Sequence, residues 1–181
     1  MTIMYSERTQ FIQKLFEAKG NEQYGEGVSQ WEHAVQAATF ARDKNAPREV
    51  IIAAFLHDIG HLIDDNEKME NLGNLYHEDL GAFYLKKLGF PEDIQLLVQN
   101  HVAAKRYLTA TEPAYLENLS EASRKTLHHQ GGPMDPAEVA AFEKDPRFEG
   151  YIQMRYLDDE AKVENYKVIH TDWIWDLMEE L

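Results

Sequence analysis

Residues 47–62 read PREVIIAAFLHDIGHL, and their reading decides the fold. Every residue from Val50 to Leu56 is apolar, and Pro47 suits the first position of a helix. A helix apolar on all sides belongs in the middle of a bundle. Yet this one runs directly into His57 and Asp58, with His61 one turn further on. Buried polar groups need partners. On an unbroken helix His57 and Asp58 point about 100° apart. Both can then face one centre only from its edge, an arrangement that suits a carboxylate with a metal ion on each side.

Helical patterns flank this segment on both sides. Ser6 is expected to cap a first helix carrying Phe11, Ile12, Leu15 and Phe16. GNEQYGEG (20–27) reads as a loop. Ser29 is expected to cap QWEHAVQAATFARDK, with Glu32 as its capping-box partner. A polar loop, DDNEKMENLGN (64–74), leads to YHEDLGAFYLKKLG, which stops at Gly89, and Pro91 opens PEDIQLLVQNHVAAKRYL. Shorter helices follow Pro113, broken at GGPMDP and KDPRFEG, and HTDWIWDLMEEL closes the chain. No convincing alternating strand pattern, repeat or linker interrupts the series. The expectation is one all-α domain over residues 1–181, a bundle of about five core helices with short helical additions.

Composition narrows the function. The 181 residues are 44% hydrophobic and contain no cysteine, so thiolate sites and disulfides are excluded and any metal rests on histidine and carboxylate. A net charge of −14 argues against nucleic-acid and anionic-membrane partners. The longest apolar runs are too short to span a bilayer. MTIMYSERTQ lacks the pattern of a signal peptide, so a cytoplasmic location is expected.

Candidate ligands are His33, His57, Asp58, His61, His77, His101 and Asp158. A lone histidine in a helix is usually a satisfied polar residue, but these lie in several apolar-periodic helices that can converge on one core. Imidazole with carboxylate favours iron, manganese or zinc. His61 could ligate, donate to a substrate, or orient a ligand. Lys105 projects from the face of His101 one turn on, and SRKT (123–126) adds Ser123, Arg124, Lys125 and Thr126, a cationic and hydroxylic cluster suited to one compact anion.

With His33 upstream and His77, His101 and Asp158 downstream, HDIGH resembles the two-metal HD-domain proteins. QWEH, HVAAKRYL, YLENLSEASRKTL and QGGPMD extend the similarity, over nearly the whole chain, to the phosphonate-degrading diiron HD-domain oxygenases. The resemblance implies cleavage of the C–P bond of a 1-hydroxyphosphonate, typically 2-amino-1-hydroxyethylphosphonate, giving glycine and phosphate. It implies a mixed-valent Fe(II)/Fe(III) pair with dioxygen as co-substrate. One iron would take His33, His57 and Asp158, the other His77 and His101, with Asp58 bridging. Resemblance alone selects Asp158 over Asp159. It also assigns His61, Lys105, Ser123, Thr126 and Arg155 to the phosphonate, and implies a partner hydroxylase that makes the substrate.

In those oxygenases a tyrosine and a glutamate of the loop before the first histidine act as a gate, the glutamate meeting the substrate's amine. Here Tyr24 and Glu26 match, with Tyr24 two residues before Glu26 where the family has three. A quaternary ammonium would ask for an aromatic wall, from Tyr24 or Trp31.

Two other functions compete. A two-metal HD site can hydrolyse a small phosphoester or nucleotide, although a broad basic groove and a glycine-rich phosphate loop are both missing from the pattern. A non-catalytic metal-binding module is the other, with no further domain in sight to receive a signal.

Overall fold

The computed structural model describes residues 5–63, 73–167 and 170–181. Among them eleven helices and no strand are formed. The polar loop expected at 64–74 lies outside the described residues except for Gly73 and Asn74.

The bundle is built around α3 (Arg48–Leu56), whose residues Val50 to Leu56 are all buried. Helices α2 (Gln30–Asp43), α6 (Glu92–Thr111) and α10 (Phe148–Glu160) pack around it, and α5 (His77–Lys87) lies against α6. Helix α1 (Glu7–Lys19) and α11 (Asp172–Glu179) close one side. There Trp175 meets Phe55 edge-on at 5.2 Å and stacks on Trp31 at 6.0 Å. Large aromatic contacts of this kind add burial and geometric specificity together. Trp31 is thereby committed to the core and does not supply the aromatic wall considered above.

Local chemistry explains most helix starts. At α2 both halves of the Ser29–Glu32 capping box form. Pro47 and Pro91 sit one position earlier than expected, as N-caps of α3 and α6. Ser6 stands at the N-cap of α1 without capping it; its hydroxyl bonds Glu179 of α11 at 2.7 Å, a tertiary partner winning over a local one. Gly89, at φ 75, ends the α5 segment as its pattern requires.

The main departure concerns the opening stretch. PREVIIAAFLHDIGHL is not one helix: α3 stops at Leu56, and a single turn, α4 (Ile59–Leu62), follows. Asp58 adopts φ −99 and ψ 8, the bridge region. The break relieves the 100° constraint of a continuous helix and swings the Asp58 carboxylate among the histidines. Gly60 makes the break packable, since a Cβ there would lie 1.9 Å from the backbone oxygen of His77. No helix among the described residues is long and apolar enough to cross a membrane.

Candidate metal centre

Four histidines from four elements meet in two pairs. His33 Nε2 lies 3.0 Å from His57 Nε2, and His77 Nε2 lies 3.0 Å from His101 Nε2. In each ring the other nitrogen faces a backbone carbonyl: Ala161 for His33, Ala54 for His57, Asn74 for His77 and Val98 for His101. A carbonyl only accepts, so each Nδ1 carries the hydrogen, and a ring in its neutral form turns an Nε2 lone pair inward. Lone pairs that face each other at 3.0 Å repel unless a cation lies between them. A separation of 3.0 Å also matches adjacent donors around one ion with bonds of about 2.1 Å.

Asp58 joins the pairs. Its Oδ1 is 3.3 Å from His77 Nε2 and 3.6 Å from both His101 and His57 Nε2, while Oδ2 is 3.6 Å from His33 Nε2. Two groupings able to hold a metal result, His33/His57/Asp58 and Asp58/His77/His101, sharing that carboxylate. Asp158 Oδ1 adds to the first, 3.3 Å from His33 and 3.7 Å from His57. Its Oδ2 accepts from Arg155 Nη1 at 2.6 Å. Burial opposes charge throughout, yet Asp58 and Asp158 carry His57 up to about 9. Against the same burial, His57 and then His77 hold Asp58 well below the usual carboxylate range. The buried carboxylates thus draw positive charge to this spot, and a donor set of imidazole and carboxylate fits hard or borderline ions.

His61 is different. Its Nδ1 accepts the backbone N–H of Asn74 at 2.9 Å, so its proton sits on Nε2 and it offers a donor where the other four offer lone pairs. Its ring stacks on His77 at 3.9 Å. Of the three possibilities open for His61, this tautomer favours donation to a ligand. Asn74 organises the corner: its side chain donates to the carbonyls of Gly60 and Ile63, and its own carbonyl faces His77 Nδ1. Gly73, at φ 84, permits the approach; a Cβ there would lie 2.3 Å from His61 Nδ1.

A cavity of about 70 Å³ adjoins both histidine pairs, and Tyr24, Glu26, His61, Lys105, Ser123, Thr126 and Arg155 line it. Lys105 is 3% exposed and donates to Thr126 Oγ1 at 2.9 Å. Burial, then the neighbouring Arg155, lowers its pKa to about 7. A buried ammonium bonded to a neutral hydroxyl is primed for an anion. Arg155 lines the cavity but is largely engaged, by Asp158, Asp159 and Tyr115. The SRKT cluster divides. Ser123 and Thr126, on α8 (Glu121–His129), face the cavity, while Arg124 bonds backbone carbonyls and Lys125 pairs with Glu121 at the surface.

In the loop, the Tyr24 ring lies 5.0 Å from the His61 ring, and its hydroxyl donates to Glu22. Burial and Glu22 together raise its pKa. Glu26 Oε1 accepts from Ser120 Oγ, Ser123 Oγ and Lys162 Nζ, at 3.0, 3.2 and 3.1 Å.

Three residues of the site escaped sequence reasoning. Lys162 lines the cavity, and its position one turn past Asp158 was the available signal. Gln130 also lines it, with both side-chain polar atoms buried and without a hydrogen-bond partner among the described residues. It stands in the quoted QGGPMD motif but carried no role. Asn74 gave no signal at all.

Comparison with known proteins agrees with this geometry. The HD domain family model matches residues 30–134. The [1-hydroxy-2-(trimethylamino)ethyl]phosphonate dioxygenase (glycine-betaine-forming) of Leisingera caerulea is 47% identical over 156 residues, 84% of this chain and 79% of that protein. The hydroxymethylphosphonate dioxygenase of Gimesia maris is 39% identical over 165 residues, 90% and 82% of the two chains. An uncharacterised protein of Acanthamoeba polyphaga mimivirus is 42% identical over 171 residues, 92% and 78%.

Proposed function

This chain belongs to the HD-domain family and to its phosphonate-degrading oxygenases, and on that premise we propose that it uses dioxygen at two irons to split a small 1-hydroxyphosphonate into a carboxylate and phosphate. The products together carry two more oxygens than the substrate, so one O2 balances the reaction. The observation that carries the assignment is the pair of lone-pair clusters joined through Asp58. His33, His57 and Asp158 would hold one iron and His77 and His101 the other, with Asp58 shared. Bound there, the irons supply Lewis acidity and electron transfer to dioxygen.

The chain's own residues do the rest. Lys105 and Thr126 take the phosphonate oxygens, with Lys105 gaining full charge as the anion arrives. His61 donates from Nε2. Gln130 offers both a donor and an acceptor that no described residue uses, which fits a substrate carrying anionic oxygens and a hydroxyl. Arg155 holds Asp158 in orientation more than it holds substrate. At the far end the choice lies among the amino substrate implied by resemblance, its trimethylammonium relative and the bare hydroxymethyl compound. A hydroxylase acting one step earlier would supply any of them.

Protein loaded with iron under limited oxygen is expected to contain two irons per chain. It should consume one O2 per phosphate released from 2-amino-1-hydroxyethylphosphonate or hydroxymethylphosphonate. Phosphate release without oxygen uptake, or full activity with zinc, would replace this function with hydrolysis.

A further inference from the structure

We infer that Lys162 is an internal cation that occupies Glu26 until substrate arrives, and so determines how readily the site accepts a phosphonate with a cationic end. The inference rests on the phosphonate function proposed above. Lys162 Nζ lies 3.1 Å from Glu26 Oε1 and donates to Ser123 Oγ at 3.2 Å. That carboxylate oxygen also accepts from Ser120 and Ser123. Lys162 is thus already paired with that carboxylate, and an incoming ammonium must compete with it for the charge.

The spacing along α8 places this pair at the substrate's far end. Thr126 holds Lys105, where the phosphonate belongs, and Ser123 holds Glu26 and Lys162. Three residues of helix separate them by about 4.5 Å along the axis. A two-carbon 1-hydroxyphosphonate spans a similar length between phosphorus and the substituent on C2. Glu26 and Lys162 also line an outer cleft of about 500 Å³, so the pair stands between the cavity and that cleft.

Lys162 has somewhere to go when displaced. Asp159 Oδ1 is 3.6 Å and Asp158 Oδ1 3.8 Å from its Nζ. A substrate ammonium therefore exchanges with Lys162 at Glu26, and the lysine shifts toward the aspartates. A substrate with an uncharged end leaves the internal pair intact. Gly25 and Gly27, at φ 88 and 75, let the loop bearing Glu26 adjust during the exchange.

The test compares iron-loaded wild type, Lys162→Met and Lys162→Arg on 2-amino-1-hydroxyethylphosphonate and hydroxymethylphosphonate, with phosphate release as the readout. Lys162→Met should raise the ratio of kcat/KM for the amino over the hydroxymethyl substrate by about tenfold, the worth of one charged hydrogen bond. The gain should come through KM of the amino substrate. Lys162→Arg should keep the wild-type ratio. In a Glu26→Gln background the Lys162→Met change should leave the ratio unmoved, which separates competition at Glu26 from general damage. A ratio that stays constant or falls in Lys162→Met, while both substrates turn over, overturns the role of Lys162 alone. Absence of turnover by wild type of these two phosphonates and of the trimethylammonium relative overturns the phosphonate function, and this inference with it.

Discussion

The difference between Lys105 and Lys162 shows how much a single side chain's surroundings decide. Lys162 is ringed by carboxylates, whereas Lys105 donates to a hydroxyl and is lowered to about 7 by burial and Arg155. Below that pH Lys105 holds its proton before substrate arrives; above it, a proton must be taken up along with the anion. Affinity for the phosphonate is therefore expected to weaken by up to about tenfold per pH unit above 7. Lys105→Met should flatten that slope and cost about 1.5–3 kcal/mol of binding at pH 6 without altering iron content. Calorimetric titration across pH checks both, and an undiminished slope in the variant would assign the proton to another group. Asn74 acts on structure instead. Asn74→Ala leaves the buried carbonyls of Gly60 and Ile63 without their donor, an expected loss of about 2 kcal/mol. Denaturant unfolding of the apo-protein measures it, and an unchanged midpoint would mean that water replaces the amide. The role of Asn74 was illegible in the sequence, because one asparagine in a polar loop looks like any other until its tertiary partners are known.

At the scale of elements, helix existence was legible and helix continuity was not. Apolar periodicity located α1, α2, α5 and α6, and Ser29 with Glu32 marked a true start. The interruption between α3 and α4 has no proline and no glycine at the break itself, so nothing local announces it. It arises from the contact of Gly60 with the first residue of α5, a pairing remote in sequence. Gly60→Ala tests that contact directly. Its methyl group would meet backbone, which cannot rotate away, and the expected cost is about 3 kcal/mol. In a chain of this size that lowers Tm by roughly 6–12 °C. Scanning calorimetry decides, and an unaltered Tm would mean that α4 and α5 stand further apart than described.

Over the whole molecule, the clustering of the candidate histidines and aspartates could be read in advance, but the parts that aim them could not. The carbonyl that sets the tautomer of His33 belongs to Ala161, and Gln36, fully buried on the same helix as His33, clamps Val163 through both its donor and its acceptor. Gln36→Leu should release this strap and weaken metal binding at His33 and His57 by about 10–100-fold while sparing His77 and His101. Iron titration should then show one tight and one weak site per chain; two equally tight sites would sink the idea. A consequence for biosynthesis follows. His33 and Ala161 are 128 residues apart, so a ribosome must make all the chain between them before that imidazole acquires its partner. The apolar core, by contrast, is built from residues other than the candidate ligands. The expectation is that metal enters a fold already made, unlike the small domains in which metal is the template for folding. Chains refolded without metal and supplied with iron afterwards should reach the same stoichiometry as chains refolded in its presence.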